Sequence, residues 1–122
     1  MTLNFKKQLS YMPMENGEGN VEYKFKLIKA TTLKITKLTT QMLYRFMQGN
    51  GKAEYYLGVM DDGKVVGLTE NELYITLNCI LDCLYELDAF YNNIVIFKQP
   101  NNKYCVHLKI SKNELPNSKI EV

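Results

Sequence analysis

GNVEYKFKLIKATTLKITKLTTQMLYRFMQGNGKAEYYLGVMDDGKVVGLTENE, residues Gly19 to Glu72, carries the architecture of this chain. From Val21 to Ile28 apolar and charged residues alternate: Val21, Tyr23, Phe25 and Leu27 on one side, Glu22, Lys24 and Lys26 on the other. That period of two predicts a half-buried strand with a charged outer face. The period then lengthens. Ile35, Leu38, Met42 and Phe46 recur at helical spacing, with Lys37, Thr40, Gln41, Tyr44, Arg45 and Gln48 on the opposite side and Gly49 as the stop. Alternation returns from Lys52 to Val59, with Ala53, Tyr55, Leu57 and Val59 inward, and Asp61-Asp62-Gly63 turns the chain into Lys64 to Leu68 as a hairpin.

Outward from this stretch, Thr69 and Glu72 have the spacing of a capping box. They open a helix whose apolar stripe is Leu73, Leu77, Ile80, Leu84 and Leu87. Asn92 to Lys98 and Lys103 to Ile110 form a second hairpin around Gln99-Pro100-Asn101-Asn102. The order β-α-β-β-α-β-β predicts an α+β fold: a mainly antiparallel sheet of about five strands, in two hairpins plus an N-terminal strand, with two helices on one face. Residues 1–20 carry Pro13, Gly17 and Gly19 without a sustained period and read as an extended arm. Phe5, Tyr11, Met12 and Met14 are too apolar to stand in water, so the arm is expected to lie on its own domain or, as the alternative, on a partner. The domain spans 21–112, and 113–122, with Pro116, reads as a loose tail.

At 122 residues, 46% hydrophobic and 23% charged, the chain has the size and composition of a single globular domain. No window approaches the length of an apolar membrane span, and MTLNFKKQLSYM lacks the apolar centre of a signal peptide. A cytoplasmic protein is expected. Cys79, Cys83 and Cys105 are an odd number without framework spacing, which argues for reduced thiols.

A net charge of +2 hides a sorting along the chain. Between Val21 and Ala53, Lys24, Lys26, Lys29, Lys34, Lys37, Arg45 and Lys52 face a lone Glu22. Between Glu54 and Asp88, Glu54, Asp61, Asp62, Glu70, Glu72, Asp82, Glu86 and Asp88 face a lone Lys64. Such a dipolar surface suits a protein that meets phosphate on one side and basic protein segments on the other.

Catalytic and metal constellations are weak by comparison. A metal site can be drawn from Cys79, Cys83, Cys105 and His107, but zinc sites usually hold such cysteines in short loops, whereas Cys79 and Cys83 sit on a helix, where a cysteine is commonly a small core residue. His107 beside a cysteine lacks a third, orienting group at readable spacing. Leu57 to Leu68, LGVMDDGKVVGL, resembles the GVdDdGxivG hairpin of AlbA-like domains in the Schlafen family, some of which cleave RNA. A tight turn demands Asp-Gly for its backbone angles in any case. Lys24 and Lys26 on one strand face, with Arg45, Gln41 and Tyr44 on the outer helix side, offer charge, an amide and a stacking ring, a mixture that suits RNA.

Gly19-Asn20-Val21-Glu22-Tyr23-Lys24, Thr40-Gln41-Met42, Gly58-Val59, Asp62-Gly63 and Val66-Gly67-Leu68 together resemble the domain that precedes the GTPase domain in the translational GTPases called GTP-binding protein 1 and 2. The resemblance runs from Gly19 to about Ile110. No GxxxxGK[ST] phosphate loop follows, so the likeness is to the accessory domain alone. At Leu43-Tyr44 that family carries a more basic, Trp-containing pair. A free-standing chain of this size, rich in Lys, Asn, Ile and Tyr, also resembles the ribosome-bound dormancy factors of microsporidia. These resemblances imply a non-enzymatic hibernation factor that occupies a tRNA site of the ribosome, the exit site, and excludes tRNA. Glu22, Lys24, Lys26, Gln41, Tyr44 and Arg45 would meet rRNA, and Asp61, Asp62 and Lys64 would meet ribosomal proteins. No cofactor, metal, membrane or small-molecule substrate is expected. The alternative is a module that docks in trans on a translational GTPase or another translation factor.

Overall fold

A computed structural model describes residues 11–27 and 31–115. Phe5, Ile28 and the tail from Pro116 lie outside the described residues. The elements are β1 (Val21–Lys24), α1 (Thr32–Gln48), β2 (Lys52–Leu57), α2 (Glu70–Glu86), β3 (Phe90–Lys98) and β4 (Tyr104–Ser111). They form a four-stranded sheet of order β1-β2-β4-β3. The α+β class and the two helices on one face are as expected, but the sheet is mixed. β2, β4 and β3 pair antiparallel, whereas β1 runs parallel to β2. A parallel neighbour needs a long crossover, and α1 is that crossover.

The second helix begins at its expected capping box, and the first is capped by Thr31. Thr31 Oγ1 accepts the Lys34 amide at 3.1 Å and Gly49 closes α1, while Thr69 and Glu72 bond reciprocally, at 3.2 and 3.0 Å, to open α2. Leu38, Met42 and Phe46 of α1 and Leu73, Ile80 and Leu84 of α2 pack onto Ala53, Tyr55 and Leu57 of β2 and Val106, Leu108 and Ile110 of β4. Met42 and Phe46 are completely enclosed, each contributing about 1.5–3 kcal/mol of apolar burial.

Lys64 to Leu68 does not form the fifth strand. Gly58 and Gly67 both take φ +87, and among the described residues the segment keeps only the isolated bridges Tyr11 to Lys64, Val59 to Val65 and Leu68 to Tyr104. Gly58 swings the chain out of the sheet after Leu57, and its carbonyl is occupied by the Val66 and Gly67 amides, so a regular ladder cannot continue. The result is a short tip at residues 59–65. The second hairpin is as expected, although β3 starts at Phe90 and carries a bulge between Tyr91 and Asn93.

A second, smaller cluster covers part of the opposite sheet face. Tyr23, Val59, Phe97 and Cys105 are buried there, with Met12, Val21, Tyr56, Val65 and Val95 packed on them. Residues 11–15 lie along the tip: the Met12 amide donates to Gly63 O at 2.7 Å and the Glu15 amide to Asp61 O at 2.9 Å. Gly63 has φ +96, and a Cβ there would collide with the Met12 carbonyl. Gly63→Ala is therefore expected to cost about 2 kcal/mol through backbone strain and displacement of residues 11–15. Urea unfolding, with hydrogen exchange at the Met12 and Glu15 amides, checks this.

Candidate nucleic-acid interface

β1 presents its charged side to the helices, the reverse of the sequence expectation. Glu22 is 2% exposed and Arg45 3%. Arg45 Nε donates to Glu22 Oε1 at 2.7 Å, and Lys24 Nζ lies 3.3 Å from Glu22 Oε2. Arg45 also reaches the segment before β1: Nη1 donates to Gly19 O at 2.8 Å and Glu18 O at 3.3 Å, and Nη2 to Asn16 O at 3.0 Å. Glu15 Oε2 stands 3.8 Å from Nη2 and accepts the Tyr23 amide at 2.6 Å, covering the open edge of β1. Burial raises the Glu15 carboxyl above its usual range, partly opposed by the Tyr23 amide. Glu22 and Arg45 thus form an internal brace.

The remaining rRNA candidates are distributed differently. Lys26 bonds Glu72 Oε2 at 3.0 Å and lies over the Phe25 ring. Gln41 is half-buried and Tyr44 exposed, its hydroxyl donating to Gly17 O at 3.0 Å and its ring in reach of the Arg45 guanidinium. Lys37, Gln41 and Tyr44 follow one another at helical spacing and form an outer ridge of α1, flanked by Lys34. Neither Lys34 nor Lys37 has an ion pair among the described residues. The structure thus separates the expected set into the brace of Glu22 and Arg45, with Lys24 beside it, and the ridge of Gln41 and Tyr44. Sequence reasoning passed over Lys34 and Lys37 as binding candidates. The signal was available, since α1 holds Lys34, Lys37 and Arg45 with no acidic residue.

α2 is the converse, with Glu70, Glu72, Asp82 and Glu86 and no basic residue. The two helices pack side by side, and Glu86, the last residue of α2, shares a hollow with Thr32, Ile35, Thr36 and Thr39 of α1. A carboxylate beside a helix N-terminus is favourable, which offsets the unfavourable placement of lysines there. At the tip, Asp61, Asp62 and Lys64 are exposed. Asp62 Oδ1 accepts the Lys64 amide at 2.9 Å, an ordinary turn contact, and Phe25, Met60, Asp61 and Asp62 line a shallow hollow.

The chain is similar, over most of its length, to one part of GTP-binding protein 2. The mouse and human proteins are each 30% identical over 119 residues, covering 83% of this chain and 20% of theirs. The chain therefore spans about a fifth of the length of these curated relatives. Uncharacterized protein R625 of Acanthamoeba polyphaga mimivirus is 41% identical over 58 residues, covering 47% of this chain and 31% of that one. No family model and no solved structure matches.

Cys79 and Cys83 lie in the helix-side core and Cys105 in the cluster across the sheet, and all three are buried. Burial pushes the Cys83 and Cys105 thiols up to about 12, so neither is a ready nucleophile. Among the described residues no three potential metal ligands converge, and no helix is long and apolar enough to cross a membrane. His107 stacks on Tyr56, ring centroids 4.3 Å apart, with Nε2 2.8 Å from Glu54 Oε1.

Two outcomes follow from this geometry. Arg45→Met strands the Glu22 carboxylate and is expected to cost about 3–5 kcal/mol. Arg45→Lys should recover only a small part, because an ammonium cannot reach both Glu22 and the carbonyls of residues 16–19; chemical denaturation of the three proteins tests this. Burial lowers His107 below its ordinary 6.5, although Glu54 partly opposes it. The unfolded chain therefore binds this proton first, so His107's contribution is intact above pH 6.5 and is lost as pH falls towards the folded value. Glu15, raised above 4.5, acts in the opposite sense, and its contribution grows as pH falls towards that value. Stability measured from pH 7.5 to 5.5 should decline in the natural protein and flatten in His107→Gln.

Proposed function

We propose that this chain is a counterpart of the accessory domain of the GTP-binding protein 1 and 2 family and acts without catalysis. It docks on the cytoplasmic ribosome at a tRNA site, the exit site, and keeps the ribosome inactive by steric exclusion. The observation that carries this reading is the sorting of charge between two neighbouring helices, α1 without an acid and α2 without a base. Each phosphate neutralised by a lysine releases counterions, which makes a basic ridge effective against rRNA. Lys34 and Lys37 supply that charge, Gln41 a bidentate amide, and the outer face of Tyr44 a stacking surface worth about 1–3 kcal/mol per base. Lys24 and Lys26, each partly neutralised by a neighbouring carboxylate, extend the basic rim more weakly. Glu22 and Arg45 contribute by holding β1, α1 and residues 15–19 together. The acidic side, comprising α2 and the tip at Asp61, Asp62 and Lys64, faces basic ribosomal-protein segments.

A second reading is supported by Tyr74 and Tyr85, exposed by 61% and 85% on acidic α2. Exposed tyrosines beside carboxylates suit a protein partner, and a chain matching a fifth of GTP-binding protein 2 would on this reading dock on a translational GTPase in trans.

Sedimentation of the purified protein with vacant ribosomes from its own source, across a salt series, separates the two. Ribosome docking predicts near-stoichiometric co-sedimentation that weakens as salt rises. Lys34→Glu with Lys37→Glu should weaken it about tenfold or more and lower the log–log salt slope by about 1.5, while Tyr74→Ala with Tyr85→Ala changes it little. Protein that stays in the supernatant at all salts removes the ribosome reading. Ribosome-free capture by a purified translational GTPase, lost in the tyrosine variant, establishes the second.

A further inference from the structure

Only part of the outer sheet face is covered by the cluster around Tyr23. Towards the other end the face opens into a groove lined by Asn20, Lys52, Glu54, Asn92 and Lys109. Register places Glu54 directly opposite Lys109, where opposite charges ordinarily pair across strands. They do not pair here. Glu54 Oε1 is taken by His107 Nε2 at 2.8 Å, and neither Lys109 nor Lys52 has an ion pair among the described residues. Two exposed ammonium groups therefore share the groove with one carboxylate that is already engaged.

The amide groups add direction. Asn92 Oδ1 accepts Ser111 Oγ at 2.5 Å, which fixes the carboxamide and leaves its NH₂ without an acceptor among the described residues. Asn20 Nδ2 donates to Lys52 O at 2.9 Å and sets the opposite wall. The bulge at Asn92 is the kind of irregularity that re-aims side chains beside functional sites. In the adjoining row Phe90 pairs with Ser111 and is 42% exposed. Cations, an amide donor and an open ring along one sheet face match the alternating phosphates and bases of a single strand. An acidic peptide would leave the ring unused.

We infer that this groove binds a phosphodiester of single-stranded RNA, with Lys52 and Lys109 on the phosphate oxygens, Asn92 donating beside them and Phe90 carrying a base. The site lies across the sheet from the α1 ridge and does not depend on the ribosome reading. Titrating ¹⁵N-labelled protein with decauridylate, and separately with inorganic phosphate, at low salt tests it. The Asn92 side-chain amide and the Lys52 and Lys109 backbone amides should shift, with the same dissociation constant in Lys34→Gln/Lys37→Gln. Affinity at these signals should fall about tenfold in Lys52→Gln/Lys109→Gln, whose side chains are exposed, and rise in Glu54→Gln. Shifts confined to α1, or unchanged affinity in the lysine variant, would overturn the site. Equal response to inorganic phosphate per phosphate group would overturn its assignment to a polynucleotide.

Discussion

Everything on the N-terminal side of this molecule depends on a guanidinium held between a carboxylate and three carbonyls. A charge as deeply buried as Arg45 is tolerated only where its donors are matched, and here Glu22 and residues 16, 18 and 19 match them. These contacts join a strand, the helix that follows it and the segment that precedes it. Against a typical domain stability of about 5–15 kcal/mol, loss of one partner would remove much of the margin. The brace also explains why β1 needs only four residues. Its position comes from a side-chain network on one edge and a parallel ladder on the other.

The helix layer obeys a different balance. Lysines near the start of α1 and carboxylates near the end of α2 each oppose their own helix dipole, at about 0.3–1 kcal/mol apiece. Packing the two ends together sets Glu86 beside the first turn of α1, at Thr32 and Thr36, where a carboxylate is favourable. A layer arranged in this way is held by its apolar interior and leaves the outer lysines of α1 uncommitted.

Much of the architecture was legible in the sequence because local signals were strong. Gly49 and the Thr69–Glu72 box mark helix ends by chemistry that acts within a few residues, and the turn around Pro100 sets the β3–β4 hairpin. The parallel direction of β1 was not legible, since alternation is identical in parallel and antiparallel strands. Nor was the sense of its two faces. Both sides of β1 are covered, Glu22 by a helix and Tyr23 by the preceding segment, and a period of two cannot say which cover is polar. Arg45 sits at the margin of the helix's apolar arc, where periodicity alone leaves a long cation on either side. The outer groove escaped notice because Lys109 and Glu54 are far apart in sequence and become neighbours only through register.

The carboxylate of Glu15 on the Tyr23 amide changes where this protein can be cut. Judged by periodic structure the folded unit begins at Val21, yet a fragment starting there would keep both helices and the sheet while losing the acceptors of a buried cation and the cover of an edge strand. Its bare β1 edge would present unpaired amides to any other chain. The contacts of the described chain with the tip reach back to Tyr11, which bridges Lys64. A truncation series would find solubility, rather than helix content, to be the property that fails first.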